Sequence, residues 1–298
     1  MQVSTKRLLH QFIDFAGIFP PAKLSMRDSL TRYLAATRGS DAWIVSRFVC
    51  SSSRLDELSA ELLAASAADV SVAVVGGASA TAEEWETSLQ SAAESMNTFQ
   101  DQVGDRASID AFEIRVPDTK GLAGYVRDLQ GFSDADVFVE LPWEDDPTDA
   151  LDTLADAEWL GAKMRTGGLD AASFPSAVQL ATFVRSCVDF EIPFKLTAGL
   201  HHPLPHRDPD IGVTMHGFLS IAASVAFALS EDMSVREISG LLVESDPNAW
   251  KFRSDELEWR GKRATLADID DARELFVSIG SCSIDEPLAD LNQLDPGA

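Results

Sequence analysis

The stretch "LGAKMRTGGLDAASFPSAVQLATFVRSCVDFEIPFKLTAGL" (160–200) decides the fold. Its two ends, 160–168 and 193–200, read as strands. The run 174–190 between them carries its apolar residues at helical spacing. Strand, helix and strand in such quick succession make a parallel βαβ unit. The unusual feature is charge. Lys163, Arg165 and Lys195 interrupt strands that a parallel sheet covers on both faces, where near-continuous apolar runs are expected.

The same rhythm extends in both directions. Helical spacing over 4–12 precedes a strand at 13–19, and Ser25 is a suitable N-cap for a helix over 25–38. Strands follow at 43–50, 70–77, 111–117 and 136–143. Each is trailed by a helix, at 54–65, 81–99, 121–130 and 146–156. The helix at 81–99 has an acidic first turn, which suits the positive end of its dipole. A further helix starts at 217. Seven β-then-α units at this length favour a closed (β/α)8, TIM-barrel-like α/β fold over an open doubly wound sheet. The eighth unit is irregular. Residues 235–245 read as a helix, 249–252 and 257–261 as a hairpin, and 265–279 as the last helix, with a C-terminal extension as plug or cap. No linker, low-complexity tract or repeat beyond this rhythm is seen, so 1–298 reads as one domain.

Strand parity gives the charges a common direction. Successive strand side chains point to opposite faces. Phe112, Ile114 and Val116 alternate with Glu113 and Arg115; Phe194 and Leu196 alternate with Lys195 and Thr197. With the apolar set against the helices, Asp14, Arg47, Glu113, Arg115, Glu140, Lys163, Arg165 and Lys195 face into the barrel. The expectation is that they gather near its C-terminal mouth, where enzymes of this fold carry their active sites. Isolated charges there are very costly, so the set must pair internally or meet water.

The bulk numbers exclude several functions. The chain has 298 residues, a formal net charge of −24 and only seven lysines against seventeen arginines. Such acidity repels nucleic acid and anionic membranes, so neither is an expected partner. It suits a high-salt host, and equally compositional drift in a GC-rich genome. Three scattered cysteines, Cys50, Cys187 and Cys282, make neither a disulfide framework nor a thiolate zinc site. The reading is a cytoplasmic protein without a signal peptide, compatible with a homo-oligomer. The apolar run 217–229 is too short to span a bilayer and reads as a buried helix.

A lysine amine is a nucleophile only when unprotonated, and burial or a neighbouring cation favours that form. Lys163, with Arg165 on its own face and Lys195 on the next strand, suits a Schiff-base lysine acting on a carbonyl compound. Glu113 or Glu140 would move protons, and Arg47, Arg115 and Arg165 would receive an anionic group. "KMRTGG" (163–168) is similar to the K-x-x-T-G strand of deoxyribose-phosphate aldolase and its class I aldolase relatives. "KLTAGL" (195–200) resembles that family's next-strand lysine motif. The resemblance implies Lys163 as nucleophile, Lys195 as its tuning neighbour, and Thr166, Gly167 and Gly168 as shapers of the substrate loop. Arg115 stands where that family's strand-borne aspartate is sought. Separately, 14–28, 197–203 and 280–287 look like a widespread bacterial family of uncharacterised proteins, which implies one conserved unit and no activity.

Four of the five histidines fall within 201–216. Neutral imidazole binds metals and titrates near neutrality. His201 and His202 are therefore acid–base candidates. With His206 they are also candidate ligands for a divalent metal, zinc, manganese or iron, in a metal-dependent hydrolase or lyase. No cofactor is otherwise expected. The leading expectation is an aldolase- or lyase-like enzyme acting on a small anionic carbonyl substrate. A non-catalytic barrel binding an anionic metabolite or a protein partner is the third reading.

Overall fold

The computed structural model describes residues 1–295. Eight parallel strands close into a barrel: β1 (Ile13–Phe15), β2 (Val45–Ser51), β3 (Val70–Val75), β4 (Ala107–Arg115), β5 (Asp136–Leu141), β6 (Leu160–Arg165), β7 (Phe194–Thr197) and β8 (Phe276–Ser281). Hydrogen bonding runs β1-β8-β7-β6-β5-β4-β3-β2, with β2 returning to β1. The first seven strands fall within the runs that alternation marks out, except that β2 runs one residue further, to Ser51, and β4 starts earlier, at Ala107.

Helices alternate with the strands, and their starts are chemically marked. Ser25 accepts from the Asp28 amide, as expected, and Ser176, Ser234 and Thr265 open helices with reciprocal capping boxes. Helix Phe218–Glu231 buries every residue from Phe218 to Ala228. No helix among the described residues is long and apolar enough to cross a membrane.

The eighth unit corrects the sequence reading. The last strand begins inside the stretch assigned to a helix at 265–279 and runs on to Ser281. The helix ends at Leu275, and β8 begins at Phe276, pairing with both β1 and β7. Helical spacing runs smoothly into Phe276, but Val277 and Ile279 alternate with Ser278 and Gly280, which is strand patterning. The hairpin is present and gains a third strand. Trp250–Phe252, Glu256–Trp259 and Lys262–Thr265 form an antiparallel sheet outside the barrel. Its turn, Arg260-Gly261, has φ of 48° and 87°, the two positive values a type I′ hairpin needs.

Two apolar cores result. The larger lies between barrel and helices and takes Phe112, Ile114, Phe194 and Leu196. The smaller, Val49, Ala73, Ala111 and Phe138, shares strand parity with the charged residues and fills the barrel interior. Ala73, Ala111 and Gly161 keep part of this lining small. A Cβ on Gly161 would lie 2.6 Å from the Pro193 carbonyl oxygen and 2.8 Å from the Phe138 ring. Small residues leave space that the methylene stems of Lys163 and Lys195 can occupy.

Candidate functional site

Register brings the inward charges side by side. Arg115 on β4 pairs with Glu140 on β5, Glu140 with Lys163 on β6, Lys163 with Lys195 on β7, and Lys195 with Ser278 on β8. Glu113 sits one inward position below Arg115. Five of these side chains, together with Asp14 on β1, form a continuous network.

Lys195 is fully buried. Its ammonium donates to Asp14 Oδ2 at 2.5 Å and to Glu113 Oε1, and lies 5.4 Å from the centroid of the Phe138 ring. Ser278 also donates to Asp14 Oδ2, at 2.7 Å. The other carboxylate oxygen of Glu113 meets Lys163 Nζ at 2.8 Å, and Lys163 reaches on to Glu140 Oε2 at 3.1 Å. Glu113 thus bridges two lysines, and Lys163 bridges two glutamates. Burial alone would raise the Glu113 pKa, but Lys163 and Lys195 outweigh it and hold the carboxyl at about 2. Burial alone would lower the Lys163 pKa, but Glu113 and Glu140 outweigh it and raise it above the ordinary lysine value. At neutral pH Glu113 is therefore a carboxylate and Lys163 an ammonium.

Glu140 connects the network to solvent. It lines a cavity of about 270 Å³ at the C-terminal mouth, together with Arg115, Trp143, Glu144, Arg165 and Gly167. Arg115 and Arg165 are exposed. Arg165 donates from Nε to the Gly167 carbonyl at 3.4 Å, and neither arginine has a carboxylate partner among the described residues. Two unpaired guanidinium groups beside a partly buried Glu140–Lys163 pair can seat a small anion.

The loop residues of the two motifs are explained by packing. Thr166 is buried and donates from Oγ1 to the Ala198 carbonyl at 2.7 Å, and its amide donates to the Thr197 carbonyl at 2.9 Å. Gly199 has φ of 74°, and a Cβ on Gly167 would lie 2.8 Å from Gly199 Cα. The glycines let the loops after β6 and β7 touch. Gly168 faces the Ser173 side chain, and Thr197 is half-buried at the end of β7.

Two expected placements are corrected. Arg47 is not at the mouth. It reaches Asp136, the first residue of β5, at 3.4 Å, and lines a separate cavity at the N-terminal end of the barrel. It is the third residue of a seven-residue strand, too early to reach the other end. Asp14 has no exposed surface and serves Lys195, Ser278 and the Arg47 amide, so it is not open to a substrate.

The histidines do not gather with a barrel carboxylate. His201 Nδ1 lies 3.1 Å from Glu286 and His202 Nδ1 2.5 Å from Asp290, both on the C-terminal helix Asp285–Leu294. His206 packs its ring against His202, with centroids 4.1 Å apart. His216 is buried against the Pro175 carbonyl, and burial lowers its pKa. Among the described residues no group of three or more His, Cys, Asp or Glu side chains is disposed to hold a metal ion. The long loop after β7 is instead strapped to the C-terminal helix.

Ser278 and Phe138 belong to the network and escaped the sequence reading, Ser278 because its strand read as helix. Phe138 shares parity with Glu140, which could have marked it. In comparisons with known proteins, no family model matches the chain and no curated protein matches it.

Proposed function

We propose that the protein is an enzyme acting on a small anionic carbonyl compound at the C-terminal mouth of its barrel, through a Schiff base at Lys163. The observation that carries this reading is the placement of Lys163 Nζ between Glu113 and Glu140, 2.8 and 3.1 Å away, directly behind the arginine-flanked cavity. Arg115 and Arg165 would hold the negative group of the substrate. Glu140, the more exposed carboxylate of the pair, would take a proton from the ammonium. The freed amine adds to the carbonyl carbon, and the carbonyl oxygen leaves as water after protonation. Ammonium plus carbonyl becomes iminium plus water, so the nitrogen keeps one positive charge. The carboxylates that favour the ammonium therefore also favour the iminium, and the barrier is the brief neutral amine.

The test is borohydride reduction in the presence of a panel of anionic aldehydes and ketones, read by peptide mass. The expected result is a reduction-dependent adduct on Lys163, absent from Lys163→Arg and weakened at least about tenfold in apparent affinity by Arg115→Gln or Arg165→Gln. No adduct across the panel would overturn it. The mutual pairing of the buried charges, Asp14, Lys195, Glu113 and Lys163, favours a second reading, an anion-binding barrel without chemistry. Saturable binding lost in the arginine variants, with no adduct, would select that reading.

A further inference from the structure

A second cavity, of about 490 Å³, opens at the opposite, N-terminal end of the barrel. Its lining includes Arg7, Arg47, Arg273 and Asp270, and Asp136 and Asp14 approach Arg47. In a chain of net charge −24, a concave surface that gathers three guanidinium groups, one of them without a carboxylate partner, is a departure that calls for a ligand.

Arg273 is the distinctive member. It lies over the Phe12 ring at 4.8 Å, and its donors go to main-chain carbonyls: Phe276, Val277 at 2.7 Å and His10 at 3.2 Å. These use three of its five N–H groups. It has no carboxylate partner among the described residues. Burial pulls its pKa down to about 10, against the opposing pull of the Asp14 carboxylate and with Arg47 adding to the effect. Arg47 is only loosely paired, 3.8 Å from Asp14 and 3.4 Å from Asp136. Arg7 is held toward the cavity by Asp270, and Ser46 and Gln11 add neutral polar groups. An incompletely neutralised arginine cluster fixed by its own fold matches the geometry of a phosphate, which accepts from several planar donors at once.

We infer that this cavity is a binding site for a small multiply charged oxyanion, either free phosphate or the phosphate group of a metabolite. The site is separate from the mouth and does not depend on the reaction proposed there.

Inorganic phosphate and glycerol 3-phosphate are the probes, titrated calorimetrically at constant ionic strength. The background is the full chain carrying Arg115→Gln and Arg165→Gln, so that the mouth cannot contribute. The expected result is one saturable site whose Kd rises at least tenfold on adding Arg7→Gln or Arg47→Gln. Arg7 is half exposed, so its variant tests the site without disturbing the core. Tighter binding of the ester would identify a metabolite, and equal binding the free ion. No saturable binding, or binding unchanged by both added substitutions, would overturn the proposal.

Discussion

Glu113 is buried and accepts from two lysines, so its ionisation couples stability to pH. An unfolded glutamate titrates near about 4.3, whereas here the two ammonium groups hold it at about 2. A depressed carboxylate stabilises the fold fully above its unfolded pKa. That contribution is lost as pH falls from about 5 through the folded value. Glu113→Gln keeps the shape and removes the charge, leaving Lys163 and Lys195 each with a single carboxylate. The expected cost at neutral pH is about 3–5 kcal/mol, the usual penalty for breaking a buried ion pair. Urea unfolding across the acid range checks it. The variant should be less stable at pH 7 and show a flatter decline on acidification; wild-type stability with an unchanged acid slope would contradict the account.

At the level of elements, β6 passes close to the start of β7 at Gly161. Gly161 has no room for a methyl group, because the obstacles are a backbone carbonyl and the Phe138 ring. Gly240, exposed in helix Val235–Leu242, has open space around it. Gly161→Ala should destabilise by about 1–3 kcal/mol or more through overpacking. Gly240→Ala should stabilise by about 0.4–1 kcal/mol by restricting the unfolded chain and improving helix propensity. Thermal melts of both variants should move in opposite directions.

The same elements show what could be read beforehand. Parity placed Glu113, Arg115, Lys163 and Lys195 on the inner face correctly, because alternation along a strand is a local property. It could not say which end of the barrel Arg47 occupies, since that depends on where the strand begins in the register. β8 was hidden because its first residue continues the apolar spacing of the preceding helix. The partners of His201 and His202 lie 85 and 88 residues further along the chain, and no local pattern announces them.

At the scale of the whole molecule, a net charge of −24 means that the folded surface repels itself. Added salt screens exposed charges and affects buried pairs much less. Raising sodium chloride from about 0.05 to about 0.5 M should therefore raise the melting temperature. A lowered melting temperature would show instead that surface ion pairs dominate.

From the N-terminal cavity to the mouth, Arg47, Asp14, Lys195, Glu113, Lys163 and Glu140 alternate in sign. Its three cations and three anions balance, and Arg47 at its end also reaches Asp136. Deleting any single interior member strands a charge on its neighbours, so point substitution confounds a role in chemistry with a role in holding the barrel. Removing two adjacent members of opposite sign preserves neutrality. Sequence drift inside this barrel is accordingly constrained to proceed by coupled replacements, and a pair is the smallest neutral change open to it.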